Sequence, residues 1–113
     1  MKEIKAIIQP FMLAKVCDAL RQIPDLPGIT VSQVMGWGKA RGAHAADTVE
    51  EAGCTFARKT KVEVVVPNPL ADQVIQAIAR SAHTGNVGDG KVFVHELSEV
   101  VKIRTGERGE EAI

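Results

Sequence analysis

The chain has 113 residues, enough for one compact domain, and 45% of them are hydrophobic, enough for a real core. Its 14 Lys and Arg balance 14 Asp and Glu. Zero net charge argues against a surface that coats nucleic acid, because non-specific binding of DNA or RNA needs a clear cationic excess.

Two cysteines, Cys17 and Cys54, are too few for a disulfide framework. Lys2, Glu3 and Lys5 interrupt the apolar residues that a signal peptide would need. No apolar run approaches the roughly 20 residues of a membrane span. The expectation is a soluble, cytoplasmic, single-domain protein (residues 1–113) that neither inserts in a membrane nor binds nucleic acid.

The opening "KEIKAIIQP" alternates Ile4, Ala6 and Ile8 with charged or mixed neighbours and predicts a strand ending at Pro10. Leu13, Val16, Cys17 and Leu20 then follow the spacing of one helix face, with Cys17 read as a small core residue. "IPDLPG" stops that helix. "ITVSQVMGWG" is rich in β-branched residues and predicts a second strand closing on Gly36 and Gly38.

Residues 39–58 show no sustained period of either kind. Structureless connections longer than about 12–15 residues are uncommon and usually functional, so this stretch is a candidate interaction loop. "KTKVEVVVP" sets Val62, Val64 and Val66 against Lys61 and Glu63, a third strand. Asn68 as N-cap and Pro69 as first helical residue begin a second helix. Leu70, Val74, Ala77 and Ile78 share its face, and it runs to about Ala82. "KVFVHEL" is a fourth strand. "VVKIRTG" is a candidate fifth extension before a polar tail over about 105–113.

The order is β-α-β-loop-β-α-β, an α+β, ferredoxin-like βαββαβ arrangement with two helices on one face of a four-stranded antiparallel sheet. The other face needs a cover. In so small a chain a second copy is the simplest one, which predicts a homo-oligomer.

Three elements combine glycine with positive charge. In "HTGNVGDGKVF", Gly85, Gly88 and Gly90 can take positive φ, so that successive N–H groups converge on an anion beside Lys91. A helix C-cap at Gly85 followed by a plain turn explains the same residues, and both readings stand. A Walker loop does not, because Val92 stands where Ser or Thr is required. In "KIRTGERG", Lys102 and Arg104 project to one side if they lie on a strand. "GWGKARG" gathers Gly36, Gly38, Lys39 and Arg41. A solvated strand face and a flexible loop exit are the plain alternatives. Together the three suggest a phosphate-bearing ligand.

No serine or cysteine lies in a catalytic motif, and no enzyme activity is expected. His44 and Cys54 stand ten residues apart, with Asp47, Glu50 and Glu51 between them. They are either polar loop residues or a soft to borderline metal site. The second option defines an alternative function, a small trimeric metal-handling protein.

"TGNVGDGKVFV" and "IRTGERGEEAI", with "MKEIKAIIQPF" and "TVSQVMGWG", closely resemble the PII family of nitrogen-regulatory signal-transduction proteins. The resemblance covers nearly all of the chain outside the long loop. It implies a homotrimer of ferredoxin-like subunits with ATP or ADP in each intersubunit cleft, and magnesium as a companion ion. It also implies that the loop over 39–58 docks on a target protein, a membrane transporter or a metabolic enzyme.

Carried over by position, Gly88, Asp89, Gly90 and Lys91 hold the phosphates from one subunit, and Lys102 and Arg104 reach in from its neighbour. Gly36, Trp37, Gly38 and Lys39 line the cleft at the loop base. Ile7, Thr30, Glu63 and Val65 lie near the adenosine. The family has arginine where Lys102 stands, so a bidentate grip becomes a point charge here. The chain has no tyrosine, and Ala52 falls where many members carry a modified one. Ala40 replaces the glutamine that bridges magnesium and 2-oxoglutarate. Lys59, the partner of the keto-acid's distal carboxylate, is retained. This pattern argues against an ordinary 2-oxoglutarate response.

Overall fold

In the computed structural model, which describes residues 1–37 and 48–113, β1 (Lys2–Ile8) runs through the middle of the sheet. Its alternation decides the layers. Ile4, Ala6 and Ile8 are buried, while Glu3, Lys5 and Ile7 point the other way and are half-buried. β4 (Cys54–Val66) pairs antiparallel on one side, with Glu3 opposite Val65 and Ile7 opposite Lys61. β5 (Gly90–Glu96) pairs antiparallel on the other, with Ile7 opposite Lys91 and Ile8 opposite Gly90. β2 (Ile29–Gly36) pairs with β4, giving the sheet order β2-β4-β1-β5. This is the expected ferredoxin-like arrangement.

α1 (Leu13–Arg21) follows a 3-10 turn over Pro10–Met12, where proline starts the turn and Met12 N–H bonds Gln9 O at 3.0 Å. α2 (Asn68–Ser81) connects β4 to the glycine-rich stretch. The two helices cover one sheet face. Val16 and Leu20 of α1 and Ala71, Val74 and Ile78 of α2 pack on Ile4, Ile8, Val62, Val64 and Val66. Each such aliphatic side chain contributes about 1.5–3 kcal/mol relative to its exposed state.

Several details differ from the sequence-based expectations. Cys17 is half-buried rather than part of the core, because α1 turns only its Val16–Leu20 stripe fully inward. Pro67, not Asn68, is the N-cap of α2, and no side chain caps it. Proline's fixed φ, in extended conformation here, sets the helix start without a hydroxyl or amide.

A fifth strand, β3 (Thr48–Glu51), pairs with the start of β4, Thr48 opposite Ala57 and Glu51 opposite Cys54. Residues 48–58 of the expected loop are therefore a β-hairpin. Ala52 and Gly53 make its two-residue turn with φ of 50° and 77°, as tight hairpins favour. Residues 39–47 of that loop lie outside the described residues.

The extension expected at "VVKIRTG" reduces to a single bridge between Val101 and Arg108. Gly106, at φ 77°, donates to Lys102 O at 2.7 Å and closes a turn instead. Lys102 and Arg104 thus do not lie on a strand. The tail is not loose either. Gly109–Ala112 form a 3-10 turn, and Ala112 is buried.

Thr60 sits in β4 with its hydroxyl fully buried and, among the described residues, without a hydrogen-bond partner. An unpaired buried hydroxyl costs about 1–3 kcal/mol. Thr60→Val is therefore expected to stabilise the fold by about 1 kcal/mol, read as a higher urea midpoint at unchanged slope.

Candidate functional site

The glycine-rich stretch after α2 is organised by one carboxylate. Asp89 Oδ2 accepts the amides of Thr84 at 2.7 Å and Gly85 at 2.9 Å, and Oδ1 accepts the Thr84 hydroxyl. That hydroxyl also takes the Asn86 amide at 3.1 Å. The loop is thus closed on itself from first residue to last. These bonds all favour the ionised form, the Thr84 hydroxyl most, and hold the Asp89 carboxyl below its usual range.

The sign of the pH effect follows. A depressed folded-state pKa gives stability that is present above the ordinary carboxylate pKa, and that stability is lost as pH falls through the folded value. The loop amides of wild type should therefore lose protection, measured against their intrinsic exchange rates, below about pH 4. Those of Asp89→Asn should show little protection at any pH, as hydrogen exchange would read.

Gly88 and Gly90 are required by space as well as by φ, at 99° and 97°. A Cβ on Gly90 would stand 1.6 Å from Ile7 O, and one on Gly88 would stand 2.8 Å from Gln9 Nε2. Lys59 reaches under the loop from β4 and donates to Gly88 O at 2.7 Å. Burial lowers its pKa, and Asp89 partly offsets that. The Lys59 side chain also passes Gly36, whose Cβ position is 3.7 Å from Lys59 Cγ. Gly36 ends β2 and leads to Trp37, which is exposed. The end of the sheet near Ile8 therefore gathers Gly36, Lys59, Gly88, Gly90 and Lys91. A 310 Å³ concavity beside it lies between α2 and the β1–β5 edge, lined by Ile75, Ile78 and Ala82 as well as Ile7, His83, Asp89 and Lys91.

The opposite end of the sheet holds a second concavity, of 330 Å³, lined in part by Glu3, Gly28, Thr30, Glu63, Val65 and Ile113. Register explains the grouping: Thr30 faces Glu63, and Glu3 faces Val65. The tail starts at this end, where Leu97 N–H bonds Met1 O at 3.0 Å, and it returns there with Ile113. Lys102 lies 3.8 Å from Glu107, and Arg104 is exposed on the turn between.

The residues named from sequence thus fall into two sets. Ile7, Gly36, Trp37 and residues 88–91 belong to the glycine-loop end. Thr30, Glu63, Val65 and the tail bearing Lys102 and Arg104 belong to the other. Ile7 accordingly sits beside Lys91 and not beside Thr30. Gly38, Lys39 and His44 lie outside the described residues. Sequence reasoning missed Gln9, Thr84, Glu3 and Ile113. A Thr-Gly start with an Asp five residues later is a turn signal that could have revealed Thr84.

Among the described residues no three His, Cys, Asp or Glu come together to hold a metal. Cys54 is exposed at the hairpin and faces Glu51 across the strands. Nothing here favours the metal-handling alternative.

The family model described as "Nitrogen regulatory protein P-II" matches residues 1–107. The chain belongs to the P-II family. A nitrogen regulatory protein P-II of Azospirillum brasilense is 45% identical over the full length of both chains, and one of Rhizobium meliloti is 46% identical over the same span. Nitrogen regulatory protein P-II 1 of Escherichia coli is 42% identical, again end to end. As a P-II protein, the chain is placed among nitrogen regulators, and the expected α+β fold agrees with that placement. No helix among the described residues is long and apolar enough to cross a membrane.

Proposed function

We propose that this P-II protein is a non-catalytic regulator that binds ATP or ADP between copies of itself and controls a target protein through the segment at 39–58. One observation carries the reading. The tail that carries Lys102 and Arg104 leaves the sheet at the end of β5 away from the glycine loop. β5 runs from Gly90 to Glu96, a span of about 20 Å at about 3.4 Å per residue. It separates residues 88–91 from the tail that carries Lys102 and Arg104. Both groups can grip one phosphate chain only if they come from different copies.

The sheet face away from the helices supports such an assembly. It carries Ile7, Val34, Val65 and Phe93 among the ion pairs Lys61–Glu63 (3.5 Å) and His95–Glu3 (3.6 Å). Among the described residues, the tail reaches one end of it, where Ile113 meets Glu3, Thr30, Glu63 and Val65. A cyclic trimer in the cytoplasm is the assembly proposed, with each interface joining the two unlike ends.

At the interface the chemistry is electrostatic. Loop amides, Lys91 and Lys59 on one side, and Lys102 and Arg104 on the other, offset the several negative charges of the ligand. Asp89 shapes the loop rather than touching phosphate, since its oxygens are occupied by Thr84 and Gly85. Magnesium, where bound, would neutralise phosphate charge.

The loop-base residues Gly36, Trp37, Gly38 and Lys39 link the occupant to the target-facing segment. A ligand changes that segment only by binding one of its conformations better than another. The target is a transporter or a metabolic enzyme. Its recognition does not use tyrosine modification, because the chain has no tyrosine. The position in question, Ala52, lies in the hairpin turn.

Calorimetry with ATP, ADP and a divalent metal alone, on the oligomer as purified, tests the proposal. Saturable nucleotide binding near one site per chain supports it. A monomer indifferent to millimolar nucleotide would refute it.

A further inference from the structure

The turn that carries Lys102 and Arg104 also carries an apolar side chain with nothing packed on it. Ile103, between the two cations, is 100% exposed, and Val101 nearby is 45% exposed. The turn itself is well held. Lys102 N–H bonds Glu107 O at 2.9 Å, Gly106 N–H bonds Lys102 O at 2.7 Å, and Gly109 N–H bonds Val100 O at 3.0 Å. Arg108 and Glu99 pair across its base at 3.4 Å. A turn fixed in this way presents isoleucine to solvent as a preformed apolar knob.

The 310 Å³ groove between α2 and the β1–β5 edge has the complementary character. Ile75, Ile78 and Ala79 of α2 and Val92 of β5 give it an aliphatic lining. Asp89 and Lys91 line it too, so the groove and the glycine loop share residues. β5 is an edge strand of the sheet, which lets a second copy approach along that side.

We propose that Ile103 of one copy docks in this groove of the next, and that the contact holds the copies together before any nucleotide binds. The inference rests on the assembly proposed above. There, Lys102 and Arg104 come to residues 88–91 of the neighbouring copy. Ile103 lies between them in the chain and arrives with them, and the groove is the apolar receptor beside that loop. It does not fill the groove of its own chain, where it is fully exposed.

Charge alone would keep these parts separate. Until an anion lies between them, Lys91 of one copy repels Lys102 and Arg104 of the next. Burial of an exposed isoleucine offsets that repulsion, because removing apolar surface from water is favourable with or without ligand.

The test uses full-length protein without nucleotide. In a Cys54→Ser background, which removes the exposed thiol, Ile103→Cys is combined with Ala79→Cys in the groove. A disulfide needs the two Cα atoms within about 7 Å, so covalent multimers on a non-reducing gel after mild oxidation report docking between copies. Gln73 is exposed on α2 and does not line the groove. Ile103→Cys with Gln73→Cys is therefore the control and should cross-link little. Light scattering on dilution reads the strength of the contact. Ile103→Ala should dissociate at a concentration about tenfold higher than wild type, and Ile103→Leu within about twofold of it.

Cross-linking at Ala79 but not at Gln73, with the weakened Ile103→Ala assembly, supports the proposal. Absent cross-linking at Ala79, equal yields at both positions, or unchanged dissociation of Ile103→Ala overturns it while the assembly stands. A monomeric wild type overturns it together with the assembly. None of these outcomes depends on nucleotide, so failure to bind ATP is read separately.

Discussion

Gly90→Ala is expected to lower the thermal midpoint by about 12 °C. The substituted methyl would lie 1.6 Å from the carbonyl oxygen of Ile7, a backbone atom of the central strand. No rotamer relieves such a contact, so β1 and β5 must separate at the end that begins their ladder. Overpacking costs about 1–3 kcal/mol, and a φ of 97° adds about 1–2 kcal/mol for any L side chain. A total near 3 kcal/mol corresponds to about 12 °C for a domain of this size.

Gly88→Ala provides the comparison. Its φ is similar, but its added methyl meets the end of the Gln9 side chain at 2.8 Å, which can swing aside. Its loss should be about half as large. Differential scanning calorimetry of the two variants reads the difference. Equal and small losses would mean that the close approach of Gly90 to Ile7 does not hold in solution.

The second large effect concerns binding rather than stability. Lys91→Ala should weaken ATP about 10- to 100-fold, because a charge-assisted contact contributes about 1.5–3 kcal/mol. Lys91 is exposed on β5 beside the loop, so its removal leaves the core untouched and the thermal midpoint nearly unchanged. Lys91→Arg should recover part of the affinity by restoring the charge. Raising the salt concentration should weaken wild type more than Lys91→Ala, since one cation fewer is left to screen. Isothermal titration at two salt concentrations, with the melting curve as control, gives all three readings.

The two effects separate the jobs of neighbouring residues. Gly90 lets the strand begin, and Lys91 supplies the charge. The sequence signalled both through the same short motif, because a positive φ leaves glycine as the ready solution. It did not show that Asp89 serves the loop itself, because a carboxylate in a glycine-rich stretch looks the same whether it faces a ligand or its own backbone. Thr84, five residues earlier, was the missing half of that pattern.

Elsewhere legibility followed periodicity. β1, β2 and the second half of β4 alternate apolar and polar residues, and α1 and α2 repeat theirs at helical spacing, so the sheet and both helices could be expected. The hairpin of β3 with the start of β4 could not. Its side chains are Thr, Glu, Ala, Gly and Cys, with Val49 and Phe56 as a lone apolar pair facing each other across the strands. The buried end of the tail was hidden for a different reason. Ala112 and Ile113 follow "GERGEE", and two apolar residues after a charged run give no period to read. The division of the site into two ends was also invisible, because it depends on strand direction and register rather than on residue type.

In this assembly one ligand is held by unlike ends of two copies. Mixing tests it most directly. Lys91→Ala damages only the loop end and Arg104→Ala only the tail end, and each should bind ATP poorly alone. When the two are co-refolded in equal amounts, about a quarter of the interfaces in a cyclic assembly pair an intact loop with an intact tail. Wild-type affinity should therefore return at about that fraction of sites. Mixed assemblies that form but recover no tight binding would contradict the account.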